Sequence, residues 1–567
     1  MNQMITPCNA TPATDVALND IDFNKIAPQS YYQGAEVRTI VDHVVREVES
    51  MVTSTMGPNG RLAVISYGTE PKTTKDGVTV ARSIKFTNEA AEYVNRIITE
   101  PALKTDEECG DGTTTTIFLT KLLYDLMIKH NTFLKHKRIE EIVQFMINKL
   151  KAMAIIPGVD SDELKALALT SSNNDTAIAT TIVDTFRNSK TGYPSIELRQ
   201  GSQSVDVVEP ITGLPLRMKF ANAAFSRHGN GENTTLENYV AVGVDAMLSI
   251  QSDEQQRSYI GALKNLATKY PNQPILLIAR SIENDLCGLV MQINKAMNSW
   301  IIPVTTGLGG TLATLLLGDI LTVLGGKLVT SVTEVDTVDM TVCQDKLVLG
   351  SDRALLTDIT PETQARVNAR IEEVKQSLAE LQQADRFSLR ARFTESRIRD
   401  LKGELIVIYV GGETQSEVKE RIDRFEDVNK AVRSALDNGI LPGSGFALRG
   451  VGVEVKRNFD NDEDVELVND IFGICYQQYL RLFGSLGLFD TAKYQQLVEQ
   501  VQIDELDEEF SIYLNLATGE RGLPQDIGVF DTAYASITAL RGGLKTAKIL
   551  AQTDTILLGS KLGARQF

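Results

Sequence analysis

Gly110-Asp111-Gly112-Thr113-Thr114-Thr115 is the stretch on which the fold assignment depends. Its two glycines let backbone N–H groups approach a ligand closely, and its threonines add donors at the start of an apolar helix over 117–127. Because a helix N-terminus favours anions, the stretch suits phosphate groups. An aspartate there repels phosphate unless a cation lies between them, which indicates Mg²⁺ at Asp111. An N-capped helix start without a ligand explains the same residues equally well, and neither a Walker A nor a GxGxxG motif is present.

The composition narrows the class of protein. The chain has 567 residues and a formal charge of −17, and without a basic run it is a poor candidate for binding nucleic acid. Its 5 cysteines form no CxxC pair and its 4 histidines no HExxH cluster, which argues against a zinc site or a disulfide framework. The longest apolar run, Leu312–Leu324, is interrupted by Asp319 and predicts a buried helix rather than a membrane span. We expect a cytoplasmic protein with a mobile arm over 1–25.

Periodicity divides the chain into helical ends and an α/β middle. Apolar spacing predicts a helix over 36–52. Alternating strands and helices between 195 and 332 predict an α/β layer, with one strand over 216–221, and a repeat of about 3.5 residues predicts a helical hairpin over 361–401. Because the helical ends enclose the middle, we expect one domain built from both termini, into which the middle is inserted.

Several short loops are ordinary by themselves. The segment Thr55-Met56-Gly57-Pro58-Asn59-Gly60 is typical of a helix end, and Lys75-Asp76-Gly77 of a turn. Asp427 alone is typical of a solvated helix face. The segments Gly443-Ser444-Gly445 and 526–531 add two further loops rich in Gly and Asp.

Taken together, these segments resemble the GroEL-type (group I) chaperonins in order and spacing. The resemblance runs over about residues 28 to 555. It is carried by residues 55–61, 74–82, 110–115, 425–427 and 443–445, and by Asn515 sixteen residues before Asp531.

The resemblance implies a multidomain, ATP-driven folding chamber. A mainly α-helical equatorial ATPase domain would comprise 1–156 and 439–567, and a small α/β intermediate domain 157–209 and 403–438. An α/β apical domain, 210–402, would be inserted in the middle of the chain. The resemblance also implies seven-membered homo-oligomeric rings, non-native client proteins, and ATP, Mg²⁺ and K⁺ as cofactors. Dependence on a co-chaperonin stays open, and neither nucleic acid nor a membrane is an expected partner.

The resemblance further implies roles for single residues. Asp427 would position the attacking water with help from Asp76, since carboxylates suit proton handling in phosphoryl transfer. Asp111 would bind Mg²⁺ beside the nucleotide, and Lys75 with the Thr55 loop would hold the monovalent cation. The other nucleotide-binding residues would be Thr55, Met56, Gly57, Pro58, Lys75, Gly112, Thr113, Thr114, Thr115, Gly443, Asn515, Leu516, Val529 and Asp531. Exposed apical side chains would bind clients, with core burial as the alternative for each: Phe220, Phe225, Leu263, Leu266, Leu286, Val290 and Met291.

Some positions depart from the family's pattern. Ser444 replaces the middle glycine of a triplet, and Thr532 replaces a proline after the last aspartate of the adenine site. Such divergence fits a specialised or virus-encoded chaperonin. Two rival hypotheses are a chaperonin-like scaffold or holdase that does not productively hydrolyse ATP, and an unrelated ATPase. The presence of Asp76, Asp111 and Asp427 argues against the first, and the lack of Walker motifs against the second.

Overall fold

The chain forms two compact units. The computed structural model describes residues 31–57, 60–67, 70–172, 174–190, 192, 194–226, 232–307, 310–351, 353–459, 464–484, 513–514, 521–522 and 528–558. The terminal unit combines Met1–Asp184 with Asp423–Phe567, and the central unit is Thr185–Ile422. The predicted arm over 1–25 lies outside the described residues, and the predicted three-domain boundaries stay a prediction.

Sixteen α-helices lie within the described residues. They are α1 (Ala35–Thr53), α2 (Gly77–Ser83), α3 (Glu89–Cys109), α4 (Thr113–Lys129), α5 (Phe133–Met153), α6 (Asp162–Ser171), α7 (Thr176–Arg187), α8 (Asp253–Lys269), α9 (Asn284–Met297), α10 (Gly310–Leu324), α11 (Pro361–Asp385), α12 (Leu389–Lys402), α13 (Gln415–Asn438), α14 (Phe446–Phe459), α15 (Val465–Gly484) and α16 (Ala533–Gln552). The predicted helix over 36–52 and the predicted hairpin over 361–401 are thereby confirmed as α1 and as the pair α11 and α12.

The longest described strands, β9 and β10, belong to the central unit. They are β1 (Tyr31–Gln33), β2 (Ala63–Tyr67), β3 (Glu70–Thr74), β4 (Ser195–Gln200), β5 (Val207–Thr212), β6 (Leu214–Leu216), β7 (Lys219–Phe220), β8 (Thr234–Leu236), β9 (Val240–Leu248), β10 (Pro274–Ile282), β11 (Trp300–Thr305), β12 (Lys327–Val329), β13 (Lys346–Leu349), β14 (Ala354–Thr357), β15 (Glu404–Val410), β16 (Ile440–Pro442), β17 (Tyr513–Leu514), β18 (Arg521–Gly522), β19 (Phe530–Thr532) and β20 (Thr555–Leu557).

The terminal unit is mainly helical and joins the two ends of the chain. The apolar stripe of α1 is buried throughout, from Val37 to Val52, as its spacing predicts. Helix α16 packs closely on α4, because a Cβ on Gly543 would lie only 3.1 Å from the backbone nitrogen of Thr120. Strand β1 pairs antiparallel with β20, so that Tyr31 lies opposite Leu557.

The central unit is built on a mostly parallel sheet with the strand order β12-β9-β10-β11-β7, in which only β7 is antiparallel to its neighbour. Residues 275–279 of β10 are fully buried, which explains their uninterrupted apolar sequence. Helix α10 covers β9 closely, since a Cβ on Gly243 would meet the Leu321 side chain at 2.3 Å. Two smaller sheets have the orders β6-β14-β13-β8 and β4-β15-β5.

One predicted strand proved to be two. The sequence predicts a single strand over 216–221, whereas the structure ends β6 at Leu216 and starts β7 at Lys219. The N–H of Met218 donates to the carbonyl oxygen of Leu216 at 2.8 Å, which closes a turn between them. The prediction was wrong because β6 pairs with β14 while β7 pairs with β11, in a different sheet.

Asp319 lies within α10 and is the centre of a buried cluster of ion pairs. Its carboxylate accepts from Arg397 at 2.6 and 2.8 Å and from Arg370 at 2.8 Å. These arginines belong to α12 and α11, so the pair fastens the helical hairpin to α10. Among the described residues, no helix is long and apolar enough to cross a membrane.

We expect Asp319→Ala to destabilise the protein by about 3–5 kcal/mol, because Arg397 would remain buried without its counter-ion. The measurement is chemical denaturation followed by circular dichroism. Glu372→Ala removes an exposed partner of Lys375 on the same hairpin, and its midpoint should match that of the wild type. Equal midpoints for both variants would contradict the assignment.

Candidate functional site

The loop between α3 and α4 presents open backbone donors. Gly110 ends α3 in the left-handed conformation with φ 68°, and its N–H donates to the carbonyl oxygen of Asp106 at 2.7 Å. Gly112, with φ 97°, precedes α4 and supplies no side-chain cap. Both conformations favour glycine strongly. The first-turn N–H groups of α4 are therefore left to an external acceptor, for which an anion is the natural choice.

The threonines of this loop divide into inward and outward groups. The hydroxyl of buried Thr113 donates to the carbonyl oxygen of Ala102 at 3.2 Å, so this side chain serves the protein itself. Thr114 and Thr115 are half-buried. Their hydroxyls, together with the backbone N–H of Thr113, are the groups of this turn that suit phosphate contact.

Asp76 fixes a second helix start beside the first. Its carboxylate caps α2 by accepting from the N–H groups of Val78 and Thr79 at 3.0 and 2.8 Å. A Cβ on Gly77 would lie 2.2 Å from the Thr114 hydroxyl oxygen, so the N-termini of α2 and α4 meet. The turn predicted at 75–77 is thus a capped helix start, and it brings Asp76 to the phosphate loop.

Asp427 reaches the loop from α13. Its carbonyl oxygen lies 2.9 Å from the position that a Cβ on Gly110 would occupy. Burial, followed by the charge of Asp106, raises the pKa of Asp427 to about 8, whereas Lys430 acts in the opposite direction. Asp427 is therefore a half-buried carboxylate at the site and not a solvated face residue.

Two further carboxyl groups, those of Asp106 and Asp111, belong to the same site. Burial raises the pKa of Asp106 to about 6, with Lys430 opposing and Asp76 and Asp111 adding to the rise. Burial also raises the pKa of Asp111, although its carboxylate accepts the N–H of Gly112 at 2.6 Å. Asp111 is nevertheless exposed to solvent.

This gathering of carboxyl groups fits a bound cation. Oxygen donors of carboxylates are what Mg²⁺ prefers, and a divalent ion would favour the ionised form of carboxyls whose pKa values are raised mainly by burial. Asp111 is the best placed to bind it, since it lies in the phosphate loop and is accessible. Asp106, which is 8% exposed, is better placed to act on the charge of the site than to bind the ion itself.

The segment around Gly443 forms the next part of the site. Its N–H donates to the carbonyl oxygen of Val529 at 3.1 Å, and a Cβ there would lie 2.9 Å from the Asp531 carboxylate. Burial and the charge of Asp111 raise the pKa of Asp531 to about 7, while the N–H of Ser444 opposes the rise. Ser444 itself has φ 54°, a conformation that glycine adopts more easily.

The remaining predicted nucleotide residues are less defined. Thr55 is buried, and its hydroxyl donates to the carbonyl oxygen of Val52 at 2.8 Å. The end of α1 approaches the site, because Val52 lies 3.6 Å from the position of a Cβ on Gly77. Met56 is half-buried, whereas Gly57 and Lys75 are exposed. Pro58, Asn515 and Leu516 lie outside the described residues.

The predicted client-binding residues require a correction. The expectation that these side chains are exposed is wrong for six of the seven, which the core of the central unit buries: Phe220, Phe225, Leu263, Leu266, Leu286 and Val290. Their apolar spacing on strands and helices reflects packing against the sheet. Met291 alone of the seven is exposed, at 41%.

Sequence analysis missed two residues of the site, Asp106 and Lys430. Asp106 lies one turn before Gly110 on α3, and Lys430 lies one turn after Asp427 on α13. Residues three or four apart share a face of a helix, so this spacing from the motif residues was the available signal.

Comparison with known proteins agrees with the resemblance seen in the sequence. The model of the TCP-1/cpn60 chaperonin family matches residues 48–228. The chain is also similar to the chaperonin gp146 from the bacteriophage EL 2 (Pseudomonas aeruginosa), crystallised in the presence of ATP-BeFx. Crystal form II has 41% sequence identity and a TM-score of 0.80, covering 94% of this chain and 99% of that chain. Crystal form I has 41% sequence identity and a TM-score of 0.79, covering 94% of this chain and 100% of that chain.

The raised pKa of Asp427 predicts a pH-dependent stability in the absence of nucleotide. An acid whose folded pKa is about 8 contributes stability below its unfolded pKa of about 3.9 and loses it as the pH rises through 8. The Asp427→Asn variant should therefore gain thermal stability over the wild type as the pH rises from about 5 to about 8.5. The control Asp423→Asn alters an exposed aspartate near the start of the same helix. A gap that stays constant with pH would contradict the prediction.

Proposed function

Since this chain belongs to the TCP-1/cpn60 chaperonin family, as a divergent GroEL-type member, we propose that it is an ATP-driven folding machine. It would bind Mg²⁺ and ATP at the loop 110–115 and couple hydrolysis to the capture and release of non-native proteins in a seven-membered homo-oligomeric ring. The observation that carries the proposal is the approach of Asp427 to the phosphate loop at Gly110. The ATP-BeFx present in the crystals of the similar phage chaperonin supports nucleotide binding by this chain.

The residues suit attack of water on a terminal phosphate. The open N–H groups at the start of α4 would hold phosphate oxygens. Mg²⁺ at Asp111, with K⁺ beside the backbone of the Thr55 loop and Lys75, would supply positive charge that stabilises the transferred phosphoryl group. Asp427 would orient the water and accept its proton, assisted by Asp76.

The charges of the site would make catalysis depend on the binding of the cation. Because the pKa of Asp427 is about 8, its carboxyl is mostly protonated at neutral pH before a cation arrives. A cation beside Asp111 would lower that pKa and so release the carboxylate that acts as a base. Asp427 would then be competent when the site is filled.

Client binding would use the apolar side chains that the central unit leaves accessible. Met247 and Met291 are 71% and 41% exposed, and Leu328 is 47% exposed. Methionine is flexible and polarisable, which suits the binding of many unrelated apolar segments. These residues replace the six buried side chains as our candidates.

Steady-state ATP hydrolysis tests the catalytic part of the proposal. We expect turnover that requires Mg²⁺, and a loss of at least about 100-fold in kcat for Asp427→Ala, as removal of a general base causes. Asp423→Asn serves as the control on the same helix and should retain wild-type turnover. If the correctly assembled wild type shows no turnover with Mg²⁺ and K⁺, the scaffold or holdase hypothesis replaces this one.

Suppression of aggregation tests the client surface. A charge at an accessible apolar contact should weaken capture of a chemically denatured protein, so Met291→Glu should lower the fraction kept soluble, as measured by light scattering. Gln292→Glu adds the same charge at the next exposed position of α9 and should behave like the wild type. Equal effects of the two variants would indicate a general charge effect and remove Met291 from the candidates.

A further inference from the structure

We propose that Lys430 is a positioning residue for Asp427, holding α13 against the phosphate loop and balancing the carboxylates of Asp427 and Asp106. This inference rests on the proposed ATPase function and adds a residue to it. Lys430 is not among the residues that the resemblance to chaperonins carries over.

The aliphatic stem of Lys430 packs on Gly110. A Cβ on Gly110 would lie 2.7 Å from Cβ and 3.2 Å from Cδ of Lys430. The same missing Cβ leaves room for the carbonyl oxygen of Asp427 at 2.9 Å. The lysine stem and the backbone of the catalytic residue thus rest together on one glycine of the loop, which fixes the position of α13 at that point.

The ammonium group of Lys430 lies near several carboxyl groups. Its Nζ lies 3.1 Å from the carboxylate of Glu426, whose side chain is 52% exposed. Burial acts against the charge of Lys430, yet Glu426, Asp106 and Asp427 together raise its pKa above the ordinary value. Lys430 therefore stays a cation among carboxylates, and Glu426 holds it only through an exposed pair that contributes little by itself.

Other charged groups act on the same two carboxyl groups, those of Asp427 and Asp106. Asp76 and Asp111 add negative charge to Asp427 and Asp106, while Arg82 on α2 adds positive charge near Asp106. Once a bound cation has lowered the pKa of Asp427, the ionised Asp427 and Asp106 carboxylates would repel each other with less compensation if the Lys430 ammonium were absent. The Asp427 side chain would then turn away from the loop, and the water-orienting geometry would be lost.

The test separates positioning from nucleotide binding. Lys430→Met should lower kcat for ATP by about tenfold or more, since small displacements of a catalytic group are costly, while KM changes by less than about twofold. Lys430→Arg keeps the charge and should restore most of the loss. Lys419→Met, an exposed lysine of the same helix, is the matched control. An unchanged kcat, or a rise in KM as large as the fall in kcat, would overturn the proposal.

A second measurement needs no ATP hydrolysis. In the nucleotide-free protein, the thermal destabilisation caused by Lys430→Met should shrink when Asp106→Asn is also present, because the two residues interact. Additive effects would overturn the charge balance even if the kinetics agreed. If the wild type does not hydrolyse ATP, the proposed function fails by itself, and non-additive effects would still support the contact between Lys430 and the carboxylates.

Discussion

Repulsion between carboxylates at one loop is the constraint on which the rest of the terminal unit depends. Asp76, Asp106, Asp111 and Asp427 come from separate elements and act on one another's charge. Such a cluster persists without a cation only where the surrounding packing holds it in place. The close contact of α13 on Gly110 and the meeting of two helix N-termini at Gly77 provide that packing. The site is thus held ready by tertiary structure at some cost in stability.

The central unit has a different architecture from the terminal unit. Its parallel sheet is buried on both faces, and the Asp319 cluster fastens a long helical hairpin to it. This leaves a firmly packed body with only a few accessible apolar side chains, among them Met247 and Met291. The proposed client surface would therefore consist of a few flexible side chains on a firmly packed body.

The sequence predicted the class of fold well, because the fold class rests on local signals, and the motif residues Asp76, Asp111 and Asp427 lie near one another in the structure. Helical periodicity and the loop 110–115 depend on neighbouring residues, and so does the cap at Asp76. The client residues failed because an apolar side chain has the same spacing whether it faces a core or a partner. Asp106 and Lys430 were missed because helical spacing from a motif residue indicates only a shared face, whereas their importance arises from charges on other elements.

The joining of both chain ends in one unit also bears on how the protein is made. Helix α4 packs on α16, and β1 on β20, across nearly the whole chain. At a synthesis rate of about 5–20 residues per second, α4 waits about 20–85 s for α16 to leave the ribosome. During that delay the face of α4 that packs on α16 in the folded protein has no native cover. The nascent chain of this chaperonin family member is therefore itself exposed to aggregation until α16 has been synthesised.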